Sequence, residues 1–178
     1  MKNRGEVPSA LTHYFDPPEG HVGEFGWVCG YSADKDFLDA ALERFTGLTH
    51  DVRANEGSIS IALMLDPGNP QITPVEVPGL LHVAYVEQAV RPFRLLHAKV
   101  ALLGFRHDKS DAFVLRLVVA TGNWTRDTLE RSIDLAWYAD VSSAELGQPV
   151  DSVRNRCADL AAAVDLFSTL RGWFDLGL

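Results

Sequence analysis

Two rhythms of apolar and polar positions run along this chain. Phe25-Gly26-Trp27-Val28-Cys29-Gly30-Tyr31 is a short apolar run stopped by Ser32, the pattern of a buried strand. Phe37, Leu38, Ala41, Leu42 and Phe45 then recur at helical spacing. Ser32 or Asp34 is placed to cap that helix and Gly47 to end it. Ser58 to Leu65 reads as a second strand, closed by Asp66-Pro67-Gly68-Asn69-Pro70. Leu80 to Val86 reads as a third. Four prolines between 66 and 79 exclude a helix there and predict a long loop. Two dense apolar runs follow, Leu95 to Phe105 and Phe113 to Ala120, around the polar insert Arg106 to Asp111. They predict a hairpin of buried strands. Ile133 to Val141 is a further strand. Val153, Cys157, Leu160, Ala161, Val164, Phe167 and Phe174 mark one face of a long C-terminal helix.

The expected fold is therefore mixed α/β, a sheet of about six strands flanked by helices, in one domain over residues 25–178. Residues 1–24, rich in Pro, Gly and charge, read as an extended N-terminal arm with His13 and His21 as solvated loop histidines. At 178 residues the chain is long enough to bury a real core. Its 47% hydrophobic and 22% charged residues argue against a disordered chain.

Charge and composition narrow the function classes. Sixteen Lys and Arg against 24 Asp and Glu give a formal charge of −8. That balance excludes a general nucleic-acid coater, whose affinity comes from many cationic phosphate contacts. It leaves room for a local basic site that grips one phosphate. No apolar run reaches the ~18 residues of a membrane span, and Met1 to Ala10 lacks the apolar core of a secretory signal. Cys29 and Cys157 form neither a disulfide framework nor a zinc site and read as buried thiols. A reducing, cytoplasmic setting is expected. Gly-rich phosphate loops, Gly-x-Ser-x-Gly and His-Glu-x-x-His are all missing, so nucleoside triphosphate, serine-hydrolase and zincin chemistries fall away.

Two polar residues interrupt the apolar run Leu95 to Leu103. Residues i and i+2 of a strand share a face, about 6.6 Å apart, so His97 and Lys99 project together. A buried lysine needs a carboxylate or an anion. If the two runs form a hairpin, the turn Thr121-Gly122-Asn123-Trp124-Thr125 after the second returns beside the start of the first. Asn123 then joins His97 and Lys99, with Gly122 permitting close backbone approach. An imidazole, an ammonium and a carboxamide without metal ligands suit a phosphodiester: Lys99 and Asn123 hold the oxygens and His97 attacks phosphorus.

His97-x-Lys99 followed by Thr121-Gly122-Asn123 resembles the phospholipase D superfamily, whose usual motif is His-x-Lys-x4-Asp with a later Gly-Ser/Gly/Thr-x-Asn element. The Asp position falls at Gly104 here. That departure makes the chain more similar to the tyrosyl-DNA phosphodiesterase branch, which has His-x-Lys and a later Asn without the Asp. Arg116 to Thr125 resembles that branch's strand and Asn turn, and the likeness is specific from Arg94 to Trp137. Asp134 stands where the branch carries a polar residue near the nucleophilic His. It orients His97, or else pairs with Arg131 or Arg116.

The resemblance implies a phospholipase D-like sheet forming one half of a two-domain architecture. It also implies a cofactor-free, metal-independent reaction through a phosphohistidine. The expected substrate is a phosphodiester, nucleic acid rather than membrane lipid. A second His-x-Lys motif is expected from a homodimer partner or a C-terminal half outside this chain. His107-x-Lys109 repeats the spacing but lies in a polar turn. A non-catalytic phosphate- or DNA-binding module within a defence or repair protein is the rival reading. Of the remaining candidates, Glu130 is an alternative to Asp134, Arg94 a further phosphate contact, His82 a structural histidine, and Trp124 a packed aromatic or a base platform.

Overall fold

The near-continuous apolar runs belong to strands covered on both faces. The computed structural model describes residues 11–86, 93–130, 134–148 and 150–175, with only the backbone of Leu129 and Glu130. Among them, six strands form one mixed sheet. They are β1 (His21–Gly30), β2 (Ile61–Leu65), β3 (Leu80–His82), β5 (Val100–His107), β6 (Phe113–Ala120) and β7 (Ala136–Ser142). Short β4 (Ala84–Tyr85) pairs separately with β8 (Phe174–Asp175). The helices are α1 (Lys35–Thr46), α2 (His50–Glu56), α3 (Arg126–Glu130) and α4 (Asp151–Leu170). None is long and apolar enough to cross a membrane.

The sheet order is β3-β2-β1-β5-β6-β7. β1, β2 and β3 are parallel neighbours, whereas β5, β6 and β7 continue the sheet antiparallel. Along β5 the side chains alternate between two cores. Ala101, Leu103 and Phe105 join α1 residues Phe37, Leu38, Ala41, Leu42 and Phe45. Val100 and Leu102 join α4 residues Leu160, Ala163, Phe167 and Leu170. Asp34 caps α1, its Oδ1 accepting from the Phe37 N–H at 2.8 Å. Gly47, at φ +70°, ends it in the left-handed conformation glycine supplies.

The structure corrects several expectations. Residues 11–24 do not form an extended arm. Leu11–Phe15 is a 3-10 helix with Leu11 and Phe15 in the core, and His21 already belongs to β1. Phe15 packs edge-on against Phe37 and Trp124. The Arg116 guanidinium holds this segment by donating to the carbonyls of Tyr14 and Asp16. Residues 1–10 of the expected arm lie outside the described residues. β1 starts before Phe25 because β5 runs on to His107 and offers partners back to His21.

Leu80 to Val86 is two strands, since the Val83 N–H still bonds the Leu63 carbonyl while Ala84 and Tyr85 turn away to β8. Phe174 is in that β8, beyond the end of α4. β5 begins at Val100 rather than Leu95, because β1 has ended and the Leu96 N–H bonds the Asp66 carboxylate instead of a strand carbonyl.

Candidate functional site

The carboxyl ends of β1, β2, β3 and β6 and the amino ends of β5 and β7 meet along one end of the sheet. Just beyond it lie Tyr31, Asp66, His97, Lys99, the turn 121–125 and Asp134. The parallel and antiparallel halves join there at β1 and β5. Open α/β sheets place ligands outside strand carboxyl ends where the strand pattern switches.

His97 and Lys99 meet although neither lies in a strand. The Lys99 Nζ is 3.0 Å from His97 Nδ1 and 3.2 Å from Nε2. The ammonium thus stands close to both ring nitrogens, and a neutral imidazole carries on one of them the lone pair that makes it a nucleophile. Lys99 is 4% exposed, whereas His97 faces solvent. Burial pushes the Lys99 pKa below the usual lysine range, and the nearby Asp134 carboxylate opposes that shift. The Lys99 backbone is tied to the hairpin by the Ala120 N–H, which donates to its carbonyl.

The Asn turn is built by local packing. Trp124 is fully buried, and its Nε1–H donates to the Cys29 carbonyl at 2.8 Å. Its N–H bonds the Ser32 carbonyl, and its own carbonyl accepts from Asp34. A Cβ on Gly30 would lie 2.7 Å from the Trp124 ring, so glycine is required where the two segments cross. Trp124 is thus an anchor within the protein, not a base platform. It leaves Asn123 half-buried, with its side-chain Oδ1 enclosed and without a hydrogen-bond partner among the described residues. Such an orphan costs about 1–3 kcal/mol. No direct bond joins Asn123 to His97 or Lys99; they share the sheet end.

Asp134 closes the turn. Its Oδ1 accepts from the Thr121 hydroxyl at 3.1 Å, and it packs on Gly122, where a Cβ would fall 2.7 Å from its Cγ. Its electrostatic partner is Lys99, so it reaches the site through the lysine rather than through an observed bond to His97. Pairing with Arg116 is ruled out, because Arg116 binds Asp140 with two nitrogens at 2.7 Å each. The Glu130 side chain and Arg131 lie outside the described residues.

The other candidates separate clearly. His107 ends β5, so the His107-x-Lys109 repeat sits at the opposite end of the sheet, about 25 Å from Lys99 by strand rise. Arg94 is exposed just before the motif. His82 is buried, with Nδ1 accepting the Ile72 N–H at 3.0 Å. His50 bonds Asp39. No cluster of three or more His, Cys, Asp or Glu side chains among the described residues is arranged to hold a metal ion.

Sequence reading missed two contributors. The Tyr31 ring lies 5.5 Å from the His97 ring, centroid to centroid, and Asp66 fixes the chain before His97 through the Leu96 N–H at 2.9 Å. Both directly follow strands that end at the site, which was the available signal. No protein-family model matches the chain, and no curated protein matches it either.

Proposed function

We propose that the protein is a metal-independent phosphodiesterase of phospholipase D type, acting on nucleic-acid phosphodiesters. The observation that carries this reading is the buried Lys99 ammonium held against the exposed His97 imidazole, at the sheet end shared with Asn123, whose amide N–H groups are the ones that can donate to a phosphate oxygen. A buried cation next to a solvent-facing nucleophile suits an anionic substrate approaching from solvent.

In this reading a His97 ring nitrogen attacks phosphorus, forming a P–N bond as the P–O bond to the leaving group breaks. Lys99 and Asn123 bind the non-bridging oxygens. The leaving oxygen takes a proton from the histidine of a second motif. That histidine then takes a proton from water as the water attacks phosphorus and the P–N bond breaks. The second motif comes from a second copy of the chain or from a C-terminal half. Asp134 keeps Lys99 charged.

Hydrolysis of an oligonucleotide bearing a 3′-aryl phosphodiester, in EDTA, tests this with wild type and His97→Ala side by side. Turnover by the wild type and none by the variant is expected. Turnover that needs a metal, or that survives the substitution, overturns the mechanism. A second reading, a phosphate-binding half-site without turnover, is favoured by the position of the other His-x-Lys pair at the far end of the sheet. It predicts oligonucleotide binding that depends on Lys99, with no hydrolysis by the wild type.

A further inference from the structure

A second concavity, about 330 Å³, opens beside the His97 segment at the ends of β2 and β3. Asp66, Asn69, Gln71, His82, Tyr85 and Phe174 are among the residues that line it. Two hydrogen bonds join its wall to the catalytic segment. Asp66 accepts from the Leu96 N–H, and Asn69 donates to the carbonyl of Tyr31, whose ring faces His97.

The hydrogen-bonding character of the lining is fixed by its existing partners. His82 Nδ1 accepts the Ile72 N–H, so the ring proton is on Nε2. Burial lowers the His82 pKa and favours that neutral form. No described residue accepts the Nε2–H. Asn69 uses its amide nitrogen on the carbonyls of Tyr31 and Asp66, leaving Oδ1 as an acceptor. Gln71 uses one amide N–H on the His82 carbonyl, leaving its second N–H and Oε1. Both Asp66 carboxylate oxygens accept one backbone N–H and have a further lone pair. The lining therefore combines two neutral donors, on His82 and Gln71, with a larger set of acceptors that includes the Asp66 carboxylate. Tyr85 and Phe174 add aromatic rings 5.6 Å apart at a steep angle. Its lining has a carboxylate and no lysine or arginine, so it repels a phosphate.

We propose that this cavity is a base subsite for the nucleotide next to the phosphodiester held at His97, selecting bases whose Watson–Crick edge sets an exocyclic amino group beside an unprotonated ring nitrogen. Cytosine and adenine present two amino N–H donors beside a ring-nitrogen acceptor, matching the acceptors and the His82 donor. Thymine presents a single ring N–H and fits poorly. The inference rests on the nucleic-acid reading above but makes its own binding prediction.

Titration calorimetry with free nucleosides, which lack a phosphate, isolates the cavity from the His97–Lys99 pair. Deoxycytidine and deoxyadenosine are expected to bind at least about 10-fold more tightly than thymidine, the discrimination one or two buried hydrogen bonds provide. His82→Phe keeps a ring of similar size and removes the Nε2 donor, and should abolish binding. Gln71→Leu, at an exposed position that spares the core, should weaken binding about 10-fold even if the His82 variant fails to fold. Equal binding of all three nucleosides, no binding, or binding unchanged in Gln71→Leu overturns the subsite. Cleavage assays on oligonucleotides differing only in the flanking base separate the two readings. Selective nucleoside binding without hydrolysis supports the subsite and removes the phosphodiesterase. Hydrolysis indifferent to the flanking base, without nucleoside binding, removes the subsite and keeps the phosphodiesterase.

Discussion

Phe15→Ala tests how the N-terminal segment is coupled to the site. Phe15 is 1% exposed, edge-on to Phe37 at 6.3 Å and to Trp124 at 6.1 Å between centroids. Truncating a fully buried phenylalanine costs about 3–5 kcal/mol, from lost transfer energy plus the cavity left behind. Domains of this kind have only about 5–15 kcal/mol in total. The variant should therefore unfold at much lower urea with an unchanged denaturant slope. Phe15→Leu, which keeps most of the apolar volume, should cost about 1 kcal/mol. Because Trp124 anchors the Asn123 turn, activity or phosphate affinity at sub-denaturing urea should fall in the alanine variant before global unfolding. Urea unfolding followed by tryptophan fluorescence reads the first effect, and activity at matched urea reads the second. A loss under about 1 kcal/mol for Phe15→Ala would refute the reasoning and return residues 11–24 to the status of a detachable arm.

Three further outcomes follow from the same geometry. Lys99→Met should leave stability unchanged or slightly raised, because burying an ammonium is costly. It should lower turnover by about 10²-fold or more, the usual effect of removing one anion-stabilising group; thermal melting and steady-state kinetics check the pair. The alkaline limb of the pH–rate profile should lie below the ordinary lysine value, since burial lowers the Lys99 pKa. Asp134→Asn should move it lower still by removing the carboxylate that favours the charged form, and a limb that stays put would contradict that role. The Ser142 backbone N–H, Arg156 and the Ser142 hydroxyl hold the Glu145 carboxyl down at about 2. With its folded pKa below the ordinary 4.5, its contribution to stability is present above pH 4.5 and is lost as pH falls toward 2. Glu145→Gln should flatten acid unfolding over that interval.

Much of the sheet was legible because its strands carry strong signals. The two apolar runs around the polar 106–111 insert gave the β5–β6 hairpin, and Asp34 and Gly47 marked the limits of α1. Leu11, Tyr14 and Phe15 were misread because the surrounding Pro, Gly and charge masked a single helical turn whose burial depends on distant Trp124 and Arg116. The 95–99 stretch was misread because strand character there depends on a partner, and β1 has already ended. The same side chains meet anyway, since His97 and Lys99 are only two residues apart. The link from Asp134 to Lys99, and the Tyr31 and Asp66 supports, come from separate segments that only the folded chain brings together. No spacing rule contains them.

The central claim is that His97 is a nucleophile toward phosphorus. An oligonucleotide ending in a 3′-(4-nitrophenyl) phosphodiester has a leaving group that departs with little protonation, so the first step does not wait for a second motif. The chain is mixed with this substrate in EDTA, quenched in alkali to preserve a P–N bond, and digested with trypsin. Mass spectrometry then reads the peptide Leu95–Lys99, which contains only one histidine. The account predicts a nucleotidyl adduct on that peptide at His97, released together with one equivalent of nitrophenol. Nitrophenol release without an adduct there, an adduct at another residue, or no reaction at all would contradict it.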